Sequence, residues 1–316
     1  MTQVTDDAMV EETRAFNERL EELFRTAPTI LTREPAQLRE IRRSGQGPFP
    51  PPLQFLPQAR TLTIPGRGGD LQLRVLSPEV EAAGVYLYIH GGGWVLGGAD
   101  ETDQRLYDLA QATGLHAVSV EYRLAPEHPY PAGPDDCEDA ALWLLRQGAS
   151  ELGAPARFAI GGDSAGAHLS VVTLLRLRDR HGLTGGFERA NLVFGAYDLS
   201  LTPSQRLWGE RNLVLSTPVL RRFADKFLPG MDAEARRDPD VSPLYADLRA
   251  MPPALFTVGS NDPLLDDTLF MEARWRAAGG TTELRVWPEA VHGFVAFPLA
   301  VARAANGAQH AFLRPS

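Results

Sequence analysis

Cysteine is almost absent from this chain of 316 residues, since Cys137 is the only one. A single cysteine cannot form an intramolecular disulfide, so the sequence excludes a small disulfide-stapled domain and does not require an oxidising compartment. We expect Cys137 to be a small, buried, apolar residue. Lysine is equally scarce, with Lys226 its only example.

Long apolar runs and an excess of positive charge are also missing. No run approaches the roughly 18 apolar residues that a membrane-spanning helix needs, and the first residues lack the basic and apolar segments of a secretory signal peptide. The 40 acidic and 31 basic residues give a formal net charge of -9. Because nucleic acid and anionic membranes repel such a chain, neither is expected as a partner, and a cytoplasmic location is predicted.

What is present is an ordinary globular composition, 44% hydrophobic and 22% charged. Apolar residues at helical spacing predict helices at Glu11–Arg25 and Thr32–Arg43. The proline- and glycine-rich run Gly45–Leu53 reads as a linker. The sequence therefore predicts two parts, with N-terminal helices and linker over residues 1–55 and a larger domain over residues 56–316.

Short β-rich runs alternate with helical patterns in the larger part, which predicts a mostly parallel sheet with helices on both faces. The predicted strands are Arg60–Ile64, Leu71–Leu76, Val85–Ile89, Ala117–Glu121, Arg157–Gly161, Ala190–Phe194, Ala254–Val258 and Thr282–Val286. The predicted helices between them are Asp103–Ala112, Asp135–Gln147, Ala165–Arg180 and Leu264–Ala278.

Residues 200–240 interrupt this alternation, since they contain no clear strand and one helical pattern at Thr217–Phe227. An insertion after a strand lies above the carboxyl edge of the sheet, where ligands bind in open α/β folds. We favour a lid formed by this insertion and the N-terminal helices, and call these two segments the predicted cap. A surface excursion without a role is the alternative.

A serine between two glycines stands at a predicted strand-to-helix junction, in Gly162-Asp-Ser-Ala-Gly166. This is the pattern of a nucleophile elbow, a strained turn that exposes the serine hydroxyl at the sheet edge. Side chains at Gly162 and Gly166 would collide with neighbouring backbone. The following helix would place its positive N-terminal end at the reacting group. Ser164 is therefore the candidate nucleophile.

Three glycines follow the strand Val85–Ile89, in His90-Gly-Gly-Gly-Trp94. Without side chains, this backbone can approach a ligand closely and direct N–H groups at a developing oxyanion. A flexible turn is the plainer alternative. The spacing of a dinucleotide-binding motif is not met, because Leu96 and Asp163 stand where glycine is needed, and no Walker pattern occurs.

A serine hydroxyl needs a base, usually a histidine held by a carboxylate. Of seven histidines, His292 follows the last predicted strand, where the chain returns to the active edge. We expect His168 to pack beneath the elbow and His90 to organise the glycine loop, while His128 lies in a proline-rich loop.

The chain order Ser, acid, His requires a carboxylate between residues 164 and 292. Asp262 comes first after the strand Ala254–Val258, in the turn at the sheet edge. Asp266 and Asp267 fall in the following helix, where we expect them to cap it or to face solvent. Asp262 is therefore the candidate acid.

Together these motifs resemble the hormone-sensitive lipase family of α/β-hydrolases, also called family IV microbial esterases, in its branch with a GDSAG elbow. The segments that carry the resemblance are His90–Trp94, Tyr122–Pro129, Gly162–Gly166, Ser242–Leu244, Met251–Pro253, Asp262–Leu264 and His292–Phe294. They follow the family's order over roughly residues 60–312.

The resemblance implies an α/β-hydrolase fold, with an eight-stranded, mostly parallel sheet and a helical cap. It implies a carboxylesterase of short- to medium-chain, small-molecule esters that uses no metal or organic cofactor. Ser164, His292 and Asp262 match its nucleophile, base and acid. The backbone N–H groups of Gly92, Gly93 and Ala165 match its oxyanion hole, with Gly91 an alternative to one of them. A homodimer is possible by analogy.

The same residues are compatible with alternatives to ester hydrolysis. Amide hydrolysis by the same three residues is an alternative, and a non-catalytic receptor or a membrane-acting lipase is a weaker one. The pocket is expected to draw on some of six apolar residues, for each of which core packing is the alternative: Phe16, Phe24, Trp94, Leu96, Leu213 and Phe223.

Overall fold

The computed structural model describes residues 6–46 and 55–315. Most of the predicted linker Gly45–Leu53 lies outside these ranges. Eight strands form one sheet: β1 Arg60–Gly66, β2 Gly69–Leu76, β3 Gly84–Ile89, β4 Leu115–Val120, β5 Phe158–Asp163, β6 Arg189–Val193, β7 Ala254–Asn261 and β8 Thr282–Val291. The helices are α1 Asp7–Phe24, α2 Pro35–Arg43, α3 Asp103–Thr113, α4 Ala132–Trp143, α5 Ala149–Leu152, α6 Ala165–His181, α7 Pro203–Leu207, α8 Thr217–Phe227, α9 Leu265–Ala277 and α10 Ala300–Leu313.

The sheet has the strand order β1-β2-β4-β3-β5-β6-β7-β8. β2 pairs antiparallel with both β1 and β4, and every other pair is parallel. All residues of β3 and β4 are buried, as expected for parallel strands covered on both faces. The predicted α/β architecture is therefore confirmed, and the carboxyl ends of β5, β7 and β8 meet at one edge.

Helix α6 is the most deeply buried helix next to the sheet. Its first thirteen residues, Ala165–Leu177, are all buried, including several polar side chains. Because these residues cover every side of the helix, this part of α6 lies in the interior of the protein. Because α6 begins directly after β5, this burial fixes the turn that carries Ser164.

The N-terminal helices and the insertion pack onto this core. α1 contacts β8 and α10, and the buried Asn17 amide donates to the Glu289 carbonyl at 2.7 Å. The insertion contains α7 and α8, and α8 begins at the predicted residue Thr217. α2 begins at Pro35, three residues later than expected. The division into a cap and a catalytic domain stays a prediction.

Within the described residues, no helix is long and apolar enough to cross a membrane. Cys137 is buried, as the sequence predicted, and burial raises the pKa of its thiol.

Candidate active site

Ser164 occupies the sharp turn between β5 and α6. Its backbone has φ 56° and ψ -118°, a conformation that non-glycine residues rarely adopt. A Cβ atom at Gly162 or Gly166 would lie 2.2 or 1.9 Å from the Ile89 carbonyl oxygen. The turn therefore requires glycine on both sides of the serine, as the sequence suggested.

The structure brings Ser164, His292 and Asp262 into one hydrogen-bonded chain. His292 Nε2 lies 2.9 Å from Ser164 Oγ, and His292 Nδ1 lies 2.8 Å from Asp262 Oδ2. The other oxygen of Asp262 accepts the Leu264 backbone N–H at 2.8 Å. His292 and Asp262 are both buried. This arrangement suits an imidazole that donates from Nδ1 to the carboxylate and accepts the serine proton at Nε2.

The glycine loop lies against the serine turn. A Cβ atom at Gly91 would lie 2.8 Å from the Asp163 carbonyl oxygen and 3.4 Å from Ser164 Cβ. Gly92, Gly93 and Trp94 follow with φ values of 118°, 61° and 61°. Gly92 and Gly93 line the same cavity as Ser164, in a backbone form that glycine permits, and Ala165 opens α6 directly after Ser164.

Two further histidines support this loop. The buried His90 stacks on Tyr122, with ring centroids 4.2 Å apart, and its Nδ1 lies 2.8 Å from the Gly91 carbonyl oxygen. His168 Nδ1 accepts the Trp94 indole N–H at 3.1 Å, and its Nε2 donates to the Val241 carbonyl at 2.8 Å. Burial lowers the pKa of His168 to about 4 and also lowers that of His90.

Asp267 lies in the first turn of α9, in the helix that the sequence predicted, but its side chain does not take the expected position. It is fully buried rather than exposed or capping, and burial raises its pKa to about 7 against the opposing effect of its hydrogen bonds. Its oxygens accept four hydrogen bonds from the chain after β6, donated by the backbone of Tyr197 and Asp198 and by the side chains of Thr202 and Gln205. Asp267 therefore fastens the start of the insertion to α9.

A cavity of about 670 Å³ opens above Ser164 and His292. Four of the six predicted pocket residues line it, namely Phe24, Trp94, Leu96 and Phe223. Phe16 packs instead against the Phe297 ring, with centroids 4.9 Å apart, and Leu213 is buried in the same apolar cluster. Helices α2 and α8 both contribute to the lining, with Leu38 and Ile41 from the first and Val219 and Leu220 from the second.

A charged group lies at one side of this cavity. Arg105 forms an ion pair with Asp163 and donates to the Tyr88 hydroxyl at 2.7 Å, while that hydroxyl donates to Asp163 at 2.9 Å. Both Arg105 and Tyr88 thereby hold the Asp163 side chain, which adjoins Ser164. No sequence motif identified Arg105 as a residue of the site, because an arginine within the amphipathic pattern of a helix such as α3 is not distinctive. In the part of the chain that the structure describes, no three His, Cys, Asp or Glu side chains converge as a metal site would need.

A protein-family model described as an alpha/beta hydrolase fold matches residues 86–296. The chain belongs to this family. It is 37% identical to the carboxylesterase NlhH of Mycobacterium tuberculosis over 277 residues, covering 84% of this chain and 85% of that protein. It is 30% identical to an acetyl esterase of Salmonella over 238 residues, covering 75% and 73%.

Among solved structures, the chain is similar to a hyperthermophilic esterase from Pyrobaculum calidifontis. The TM-score is 0.84 with 29% identity, over 95% of this chain and 97% of that one. EstE1, a thermostable carboxylesterase from a metagenomic library, gives a TM-score of 0.80 with 30% identity, over 90% and 98%. The resemblance to the hormone-sensitive lipase family is therefore confirmed.

Proposed function

We propose that the protein is a carboxylesterase that hydrolyses small-molecule esters of short to medium acyl chain at Ser164. The observation that carries the proposal is the hydrogen-bonded chain Asp262–His292–Ser164 at the floor of a largely apolar cavity. Relatives over most of the chain are esterases by name, which supports ester cleavage. The cytoplasmic location and the homodimer stay predictions.

In the proposed reaction, His292 Nε2 takes the Ser164 proton as Oγ attacks the ester carbonyl. Asp262 holds the imidazole in the tautomer that accepts this proton and stabilises the imidazolium that results. The N–H groups of Gly92, Gly93 and Ala165 stabilise the oxyanion, a contribution worth about 10²–10³ in rate for a single donor. His292 then protonates the leaving alcohol, and an acyl group stays on Ser164.

The second half of the reaction repeats these roles with water. His292 removes a proton from the water that attacks the acyl-enzyme, and the tetrahedral intermediate again places its charge at the same N–H groups. Collapse returns the proton to Ser164 and releases the acid. Amide hydrolysis by these residues differs in its leaving group, an amine that must be protonated as it departs, so comparing ester and anilide analogues separates the two.

The test is hydrolysis of p-nitrophenyl esters from acetate to palmitate. We expect the wild type to prefer short chains, Ser164→Ala to lose about 10⁴-fold or more in kcat, and Asp262→Asn to lose about 10⁴-fold because the tautomer is wrong. Asp266→Asn is the matched control, since that carboxylate accepts only a remote hydrogen bond from the Ser204 backbone. A wild type inert on every ester, or a Ser164→Ala protein of equal activity, contradicts the proposal.

A further inference from the structure

The glycine loop holds a strained backbone at the point where the oxyanion is expected. Gly92, Gly93 and Trp94 are three consecutive residues with positive φ. For glycine this conformation carries little penalty, but for a tryptophan at φ 61° it is unfavourable. Such a residue keeps its conformation only where surrounding contacts fix it. The position of the Gly92 and Gly93 N–H groups therefore depends on what holds Trp94 and Val95.

Three hydrogen bonds from other segments hold this end of the loop. The Trp94 indole donates to His168 at 3.1 Å, and the Trp94 carbonyl accepts the Ala125 N–H at 2.9 Å. The third contact comes from outside the sheet domain, since Arg39 Nε in helix α2 donates to the Val95 carbonyl at 2.8 Å. A residue of the N-terminal helices thus contacts the loop two residues after Gly93.

Arg39 makes more than this single bond. Its Nη2 donates to the Ala125 carbonyl at 2.9 Å, and its Nη1 and Nη2 bind the Glu127 carboxylate at 3.1 and 2.7 Å. The guanidinium is planar and presents its donors in a fixed fork, so it sets the relative position of the carbonyls that it joins. The Arg39 guanidinium therefore links the Val95 carbonyl to Ala125, whose N–H group donates to the Trp94 carbonyl.

We propose that Arg39 is a positioning residue for the oxyanion hole, through which docking of helix α2 sets the geometry of Gly92 and Gly93. The inference rests on the proposed function, because it assigns a role within that reaction. It makes the N-terminal helices part of the catalytic apparatus and not only a wall of the pocket. Lysine cannot substitute fully, because its single ammonium group cannot join two carbonyls and a carboxylate in one plane.

The test compares Arg39→Met and Arg39→Lys with Arg43→Met, which removes an exposed arginine from the same helix. Each variant is titrated with a fluorophosphonate, so that kcat is counted per reactive serine and loss of folded protein does not enter. A trifluoromethyl ketone, which forms a tetrahedral adduct with an oxyanion, reports the hole directly. KM for p-nitrophenyl butyrate reports binding of the uncharged ester.

We expect Arg39→Met to lower kcat per reactive serine by about 10- to 100-fold, as a displaced donor set would. The ketone inhibition constant should rise by the same factor, because both depend on the same charge. KM should change by no more than about twofold, Arg39→Lys should fall between, and Arg43→Met should equal the wild type.

The inference is overturned if every Arg39 variant that folds has the same kcat and ketone affinity as the wild type, even if those variants are less thermostable. If Arg39→Met does not fold, Arg39→Lys alone decides by the same two constants. A parallel rise in KM with unchanged ketone affinity assigns Arg39 to the pocket wall and also overturns it. An inert wild type that does not react with the fluorophosphonate overturns the proposed function itself, whereas an active wild type with unaffected variants leaves that function standing.

Discussion

At the scale of single residues, His168 shows how burial fixes a histidine in one form. Its Nδ1 accepts from Trp94 and its Nε2 donates to the Val241 carbonyl, so the neutral ring satisfies both partners. A second proton would remove the acceptor and place a charge in the core, which is why burial lowers its pKa to about 4. His168 thus joins the glycine loop, the helix after Ser164 and the end of the insertion.

This lowered pKa makes stability depend on pH in a defined direction. The unfolded chain protonates His168 below its ordinary pKa of about 6.5, whereas the folded chain does so only near 4. The unfolded state therefore binds more protons between these values, and the contribution to stability is complete above pH 6.5 and decreases as the pH falls towards 4. The shift corresponds to about 3 kcal/mol.

We expect His168→Asn to remove this dependence. The asparagine can still accept from Trp94, but the bond to the Val241 carbonyl is lost, so the variant should be less stable at pH 7 by about 1–3 kcal/mol. This deficit should shrink as the pH is lowered to 4, because only the wild type loses the histidine contribution. Chemical denaturation of both proteins at pH 7, 6, 5 and 4 measures it. A deficit that is constant across that range contradicts the assignment.

The residues proposed for catalysis could be read from the sequence because each follows a strand closely. Ser164, Asp262 and His292 stand at the carboxyl ends of β5, β7 and β8, and parallel strands bring those ends together. The burial of Asp267 could not be predicted in this way. Its burial depends on where residues 197–205 pass after β6, and no local pattern encodes that path.

At the scale of elements, the sequence predicts the strands more completely than the helices. Each predicted strand overlaps an observed one. The buried strand β3 is a continuous apolar run, whereas the largely exposed edge strand β1 alternates polar and apolar residues, and both patterns are typical of strands. Helix α10 was not predicted. Among its buried residues only Val301 and Leu313 are larger aliphatic side chains, and the helix contains the poor helix formers Asn306 and Gly307, which weakens the helical signal. The antiparallel position of β2 between β1 and β4 is likewise a tertiary property.

Helix α8 illustrates how an element of the insertion shapes the pocket. Val219, Leu220 and Phe223 line the cavity from one side of the helix. The Phe223 ring lies in close contact with the glycine loop, since a Cβ atom at Gly93 would lie 2.5 Å from the ring. The size of this ring therefore limits the space in the cavity beside Gly93.

We expect Phe223→Ala to shift ester preference towards longer chains. Removing the ring opens space at the loop, so the ratio of kcat/KM for octanoate to that for acetate should rise by about tenfold or more. The ratio is measured with p-nitrophenyl esters. Because it compares two substrates of the same variant, it cancels any uniform loss of activity caused by a displaced glycine loop. Arg222→Ala, an exposed change on the same helix, is the control. An unchanged ratio in Phe223→Ala would show that the acyl chain of the substrate does not bind beside Phe223.

At the scale of the whole molecule, a buried ion-pair network connects helices α4 and α6 to the segment that follows α8. Arg176 of α6, only 2% exposed, contacts Asp135 and Glu138 of α4 at 2.9 and 3.3 Å. It also forms two bonds with Asp240 at the end of the insertion, of 2.6 and 2.5 Å. The helix that begins directly after Ser164 is thereby joined both to α4 and to the segment around Asp240.

Such a network stabilises a fold less by its net energy than by the cost of breaking it. A buried carboxylate whose partner is removed keeps its desolvation penalty without the compensating attraction. The Glu138 side chain is 1% exposed, and its charge is compensated by Arg176 together with Arg67, Arg180 and His181. Surface pairs differ, because water screens their charges with or without the partner.

We therefore expect Arg176→Met to lower the free energy of unfolding by about 3–5 kcal/mol. Arg157→Met is the matched control, because Arg157 pairs with Glu188 at the surface with side chains 36% and 45% exposed, and it should cost no more than about 1 kcal/mol. Chemical denaturation at pH 7 compares the two. Since Asp240 closes the insertion, the Arg176 variant should also become sensitive to proteolysis within residues 200–240 before global unfolding. Equal losses in both variants would show that the buried network contributes no more than a surface pair.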